Sequence, residues 1–266
     1  MGEYEEIANK FAELSGEQRL EILLKLLDKQ TKISTIAKEL GATVPEVYRN
    51  FERLVNADLI SKNPDGSYSI TSLGKILGSQ ISTVNFLLRN KKYFKNHDFE
   101  QLPLKFIHRI GVLDKGEIIN GFVKVQERCN EIYENAEQYI YNILFEVPYT
   151  PDVMEILIKK LTDRTKIRSI FSESAIIPKE RKFMIDKMGF KEYIQSGAIE
   201  RKMKKDVSTI VILNEKEAGI MFPTNGEVDV SKAIFSKDPL FHEWCLDYFN
   251  YNWDTSDSFR EAKLKE

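Results

Sequence analysis

The chain has 266 residues, of which 42% are hydrophobic and 30% charged, with 13 Gly, 8 Pro and a formal net charge of −2. This balance excludes a fibrous repeat and bulk disorder. It also excludes a surface that is basic throughout, while leaving room for a local basic face. The length suits two modest domains.

No apolar run approaches the roughly 18–20 residues that span a bilayer. The acidic start, MGEYEEIANKF, lacks a signal-peptide pattern. Cys129 and Cys245 are isolated, which points to reduced, buried thiols. These features lead to the expectation of a cytoplasmic protein without membrane partners.

The first half reads as helical. In SGEQRLEILLKLLDK, Ser15 is the expected N-cap with Gln18 three residues on, ahead of an almost continuous apolar surface. TKISTIAKELG gives a shorter helix closed by Gly41. Thr43 then caps a third helix, with Glu46 completing a capping box and Pro45 in the first turn. Only Gly41 to Thr43 separate these two helices, the spacing of a helix-turn-helix.

On the third helix Val44, Val47, Phe51, Leu54 and Val55 form the apolar stripe, with Tyr48 at its margin. Glu46, Arg49, Asn50, Arg53 and Asn56 are left to face outward. LISK-NPDG-SYSIT follows as two short strands around a Pro-Asp-Gly turn. A helix from about residue 72 to 93 carries Leu73, Ile76, Leu77, Ile81, Val84, Leu87 and Leu88, more apolar surface than the hairpin covers. Pairing with a second copy is its expected use, and packing on the chain's own second domain is the alternative.

Residues 29–95 hold 11 Lys and Arg against 5 Asp and Glu. A capped helix after a tight turn, a polar hairpin and a basic stretch, in that order, predict a winged helix-turn-helix that binds double-stranded DNA as a homodimer. Arg49, Asn50 and Arg53 have the chemistry for base edges. Thr43 and the first-turn N–H groups suit a phosphate. Lys32, Ser34, Lys62, Asn63 and Ser67 are backbone-positioning candidates. Glu46 lies on the same helix face, and Tyr48 belongs either to the core or to a sugar or thymine contact.

The expected domains are 1–95, DNA-binding with a dimerisation helix, and 96–266, regulatory, divided at the polar stretch KNHDFEQLP. In the second domain IINGFVKVQERCNEIYENA, TPDVMEILIKKLTDR and IPKERKFMIDKMG read as helices. QYIYNILFEV, KIRSIFSE, STIVILNE and EAGIMFP read as strands, and DPLFHEWCLDYFNYNW as the closing helix. The alternation predicts a mixed α/β domain, so the whole chain reads as an α+β or α/β two-domain protein.

No phosphate-binding loop, GxGxxG, GxSxG or metal-ligand spacing is present, and His97, His108 and His242 stand apart. No enzyme activity, cofactor or metal is expected. RKMKKD (201–206) is either a solvated loop or part of an anion site. Phe241, Trp244, Tyr248 and Trp253 are either a core stripe or the wall of a small-molecule pocket.

IFSKDPLFHEWCLDYFNYNW, FIHRIGVLDKGEIINGF and EAGIMFPTNGEVDV together resemble the archaeal methanogenesis-regulator (Fil-type) family. The resemblance implies a winged helix joined to a regulatory domain, hence a transcriptional regulator with a small-molecule effector as a possible partner. The alternation also resembles the phospholipase D-like scaffold, but HxKxxxxD is missing from the sequence. The alternatives are a phosphodiesterase-like enzyme and a protein-interaction module that use the winged helix only for docking.

Overall fold

Residue spacing accounts for the N-terminal elements of the computed structural model, which describes residues 2–97, 99, 102–145, 151–175 and 187–263. Helices α1 (Glu3–Leu14), α2 (Glu17–Asp28), α3 (Ile33–Leu40) and α4 (Val44–Asn56) precede a hairpin of β1 (Ile60–Lys62) and β2 (Tyr68–Ile70), then α5 (Ser72–Arg89). The chain divides into two compact units, Met1–Asn85 and Phe86–Glu266. The division falls within α5, not in the polar stretch at 95–103.

In the first unit, Ile22, Leu23 and Leu26 of α2 meet Ile36 and Ala37 of α3 and Val47, Phe51 and Leu54 of α4. Leu59, Ile60 and Tyr68 close this core from the hairpin side. Gly41 ends α3 at φ 60°, and its N–H bonds to the carbonyls of Ala37 and Lys38. Thr71 caps α5: its hydroxyl accepts from Gly74 N–H at 3.0 Å and donates to the Asp58 carbonyl at 2.6 Å.

Three local expectations are corrected. The α2 N-cap is Gly16, and the Ser15 hydroxyl turns back to the Ala12 carbonyl. Thr43 is the α4 N-cap, but its side chain makes no capping bond. Val44 stands 52% exposed rather than in the stripe.

In the second unit two short helices, α6 (Lys91–Phe94) and α7 (Leu104–Ile107), precede an eight-stranded mixed sheet. Its strands are β3 (Glu117–Asn120), β4 (Tyr139–Leu144), β5 (Lys166–Ser172), β6 (Ile199–Lys204), β7 (Ile210–Leu213), β8 (Ala218–Met221), β9 (Lys232–Ser236) and β10 (Asp257–Ser258). The order is β10-β6-β5-β4-β7-β8-β9-β3. β4, β5 and β6 run parallel to one another, and the remaining pairs are antiparallel.

Period-two alternation sends side chains to both faces of the sheet. Ile210 and Ile212 join α8 (Phe122–Glu134) and α9 (Pro151–Thr162) on one side. Val211, Leu213 and Ile220 join the last helix on the other. That helix is α11 (Pro239–Asp254), and α10 (Phe190–Gln195) precedes β6. Gly219 of β8 is required by close approach, since a Cβ there would lie 2.3 Å from the Phe235 ring.

Ile118 and Ile119, expected inside a helix, belong to edge strand β3, and the helix starts at Phe122. RKMKKD is not a loop over most of its length: residues 201–204 are the last four of the six residues of β6. The helix expected over 177–189 lies largely outside the described residues. Cys129 and Cys245 are free and buried, and burial pushes the Cys129 thiol up to about 12. Among the described residues no helix is long and apolar enough to cross a membrane.

Candidate nucleic-acid interface

The polar side of α4 splits into two strips. One is engaged by the chain's own N-terminal helices. Gln18 Nε2 donates to Glu46 Oε1 at 2.6 Å, and Asn50 Nδ2 donates to Gln18 Oε1 at 2.7 Å. Arg53 makes two bonds of 2.8 Å to the Glu13 carboxylate, and Glu13 also meets Arg19 at 3.4 Å. Glu46 and Asn50 are therefore half-buried and occupied, whereas Arg53 is exposed but ion-paired.

The other strip faces solvent. Tyr48 is 48% exposed, which resolves its ambiguity against the core, and Arg49 is exposed with no ion pair among the described residues. Thr43 is exposed at the helix start. Its side chain makes no capping bond and so supplies no acceptor to the first-turn N–H groups at the positive end of the helix dipole.

The hairpin is held beside the start of α3. Thr31 N–H donates to the Tyr68 carbonyl at 3.1 Å, and Tyr68 N–H returns a 2.8 Å bond to Thr31. The Asp65 carboxyl is lowered mainly by the Ser67 hydroxyl and N–H, with a contribution from the Lys32 charge. Lys32, Ser34 and Lys62 are exposed. Asn63 and Ser67 have structural work instead. Asn63 Nδ2 donates to the hydroxyls of Ser67 and Ser69 at 2.9 and 2.8 Å, and Ser67 is only 4% exposed.

The basic surplus counted over residues 29–95 does not extend to the whole unit. Residues 1–85 contain 10 Lys and Arg against 12 Asp and Glu, because α1 and α2 are acidic. Lys32 at the α3 N-cap, Arg49 on α4 and Lys62 on the hairpin are exposed cations of this unit.

In the second unit the aromatic stripe is mostly core. Phe241 and Trp244 are fully buried, and Trp244 Nε1 donates to the Phe106 carbonyl at 3.1 Å. Tyr248 stacks on Trp244 and borders a polar cavity. Trp253 is half-buried under Arg168 and Lys202, at 5.3 and 5.0 Å. His242 is packed, with Nε2 donating to the Asn214 carbonyl at 2.6 Å. Among the described residues no group of His, Cys, Asp or Glu has the arrangement of a metal site.

A helical N-terminal domain joined to a mixed-sheet domain is the build found here. Residues 11–88 match the family model described as Methanogenesis regulatory protein FilR1, N-terminal domain. Over that stretch the chain is similar to the N-terminal domain of Fil-type methanogenesis regulators.

A curated relative, Methanogenesis regulatory protein FilR1 of Methanothrix harundinacea (strain 6Ac), is 26% identical over 132 residues. That match takes in 47% of this chain and 29% of the relative's length. Among solved structures, the archaeal chromatin protein TrmBL2 is 12% identical at a TM-score of 0.44, over 86% of this chain and 88% of that one. Nuc, a phospholipase D family member from Salmonella typhimurium, is 13% identical at a TM-score of 0.40, over 55% and 98%.

Proposed function

We propose that this protein is a DNA-binding transcriptional regulator of archaeal type, and that its first unit is a winged helix-turn-helix. In this reading α4 is the recognition helix and the β1–β2 hairpin is the wing. The supporting observation is the free strip of α4, where Thr43, Tyr48 and Arg49 stand exposed, as do Lys32 at the α3 N-cap and Lys62 on the hairpin. Arg49 is the side chain placed to reach a base edge, and Thr43 with the first-turn N–H groups is placed for a phosphate. Lys32, Ser34 and Lys62 add phosphate contacts. Arg53 joins them when Glu13 releases it.

The regulator works as a homodimer through α5. Leu73, Ile76, Val84 and Leu88 recur at helical spacing and are all exposed, with Ile76 and Leu88 at 64%. A second copy of the same helix is a self-complementary cover for such a stripe. The mixed-sheet unit is the sensor or assembly domain. A ligand there changes DNA affinity only as far as it favours one dimer geometry over another.

Duplex binding tests this reading directly. Fluorescence anisotropy with a random-sequence duplex pool should show binding that falls steeply as salt rises, because phosphate contacts release counterions. No binding at low salt would end the DNA reading and favour a protein-docking role for the same domain.

A further inference from the structure

The three parallel strands deliver their carboxyl ends to one place. β5 and β6 pair in register up to Ser172 opposite Lys204, and β4 lies alongside β5 up to Leu144 opposite Phe171. Ligands of open α/β sheets sit beyond such strand ends. Here the ends open onto a cavity of about 240 Å³ bordered by Lys204, Asp206, Ser208, Thr209, Tyr248 and Asn252. A second cavity adjoins it, sharing Asp206, Val207 and Ser208 and adding Ser174 and Lys205.

Lys204 is the unusual member. Alternation along β6 turns Lys202 and Lys204 toward α11, where Lys202 Nζ donates to the Trp253 carbonyl and Lys204 Nζ to Asn252 Oδ1. Lys204 is half-buried, and its protein partner is a neutral amide. Burial holds its ammonium below the ordinary lysine range, against the pull of Asp206. Neither Lys204 nor Asp206 forms an ion pair among the described residues, although ammonium groups drawn out of water are normally paired.

Thr209 and Ser208 border the same space, and the Thr209 side chain is hydrogen-bonded to the Tyr248 hydroxyl. At about 240 Å³ the cavity is smaller than the roughly 300–1,000 Å³ of drug-sized sites.

We propose that this cavity binds a small oxyanion, a phosphate or carboxylate group of a metabolite, with Lys204 as its counter-ion. Asp206, which borders the same cavity, accepts from a hydroxyl elsewhere on the same ligand. The assignment rests on the sensor reading of this unit only for its biological meaning, since binding is measurable without DNA.

The test is calorimetric titration of the full chain with inorganic phosphate, glycerol phosphate and acetate in turn. Saturation by the phosphate compounds alone identifies a phosphate site, and saturation by acetate alone a carboxylate site. Lys204→Met should weaken the binding by at least about tenfold, the usual loss with a charge-assisted hydrogen bond, whereas Lys204→Arg should retain most of it. Should Lys204→Met fold poorly, the unaltered protein gives the same answer by acetylation and peptide mass spectrometry. The bound probe should protect Lys204 while leaving exposed Lys237 reactive. Absence of saturation by all three probes, or equal acetylation of Lys204 with and without them, overturns the site. Duplex binding that persists in that case leaves the regulator reading intact.

Discussion

Arg53 on α4 and Glu13 on α1 are joined by two parallel bonds, Nε to Oε2 and Nη2 to Oε1, each 2.8 Å long. The pairing holds Glu13 below the ordinary carboxylate range, chiefly through the Arg53 hydrogen bond. It also ties the only α4 arginine besides Arg49 to the N-terminal helix. Glu13→Gln should therefore release Arg53 toward a duplex. The expected result is tighter binding, with the salt slope steeper by about one phosphate contact. The cost in stability should be small, since Arg53 is largely solvated. Anisotropy titrations at several salt concentrations check it, and an unchanged slope would mean that Arg53 takes no part.

The α5 stripe gives a second expectation. Ile76 is 64% exposed, so Ile76→Lys leaves the folded unit undisturbed if the protein is a monomer. If α5 pairs with its twin, two like charges enter the apolar seam. Sedimentation equilibrium should then show the dimer dissociating at concentrations where the parent stays paired. A variant that sediments like the parent would place the contact elsewhere.

Gly219 lies where β8 passes beneath the Phe235 ring. Gly219→Ala adds one methyl to a filled core and should cost about 1–3 kcal/mol. Urea unfolding of the second unit reads this as a lower midpoint at unchanged slope.

Asp229 sets an acid limit for the second unit. Burial raises its carboxyl, but bonds from the Ser231 hydroxyl and N–H, His97 and Thr224 outweigh burial and leave it below the ordinary aspartate range. The unfolded chain then takes up this proton first as pH falls. The stability it supplies is complete above the ordinary aspartate range, near pH ~4, and is lost as pH drops through the lower folded value. Asp229→Asn should flatten this acid limb in urea titrations between neutral and acid pH. An identical acid limb in parent and variant would contradict the assignment.

Much of α4 was legible because a buried stripe at helical spacing fixes which residues turn inward: Val47, Phe51 and Leu54 are all buried. The same spacing put Asn50 and Arg53 outside, yet it could not show that α1 and α2 would meet them. The α1 helix was hidden by its acidic, weakly apolar sequence, so Glu13 was not available as a partner. β6 was missed for a related reason. Of its six residues only Ile199 and Met203 are buried, and the charges between them read as a solvated run. Period two was present in that pair, but α11 decides that Lys202 and Lys204 face protein rather than water.

The central claim, that the free strip of α4 contacts a duplex, is tested most directly by Arg49→Ala across a salt series. Arg49 is exposed and forms no ion pair among the described residues, so the variant should fold and sediment as the parent does. Its duplex affinity should fall by about 1–3 kcal/mol if Arg49 reads a base. Affinity equal to the parent's at every salt concentration would contradict the account.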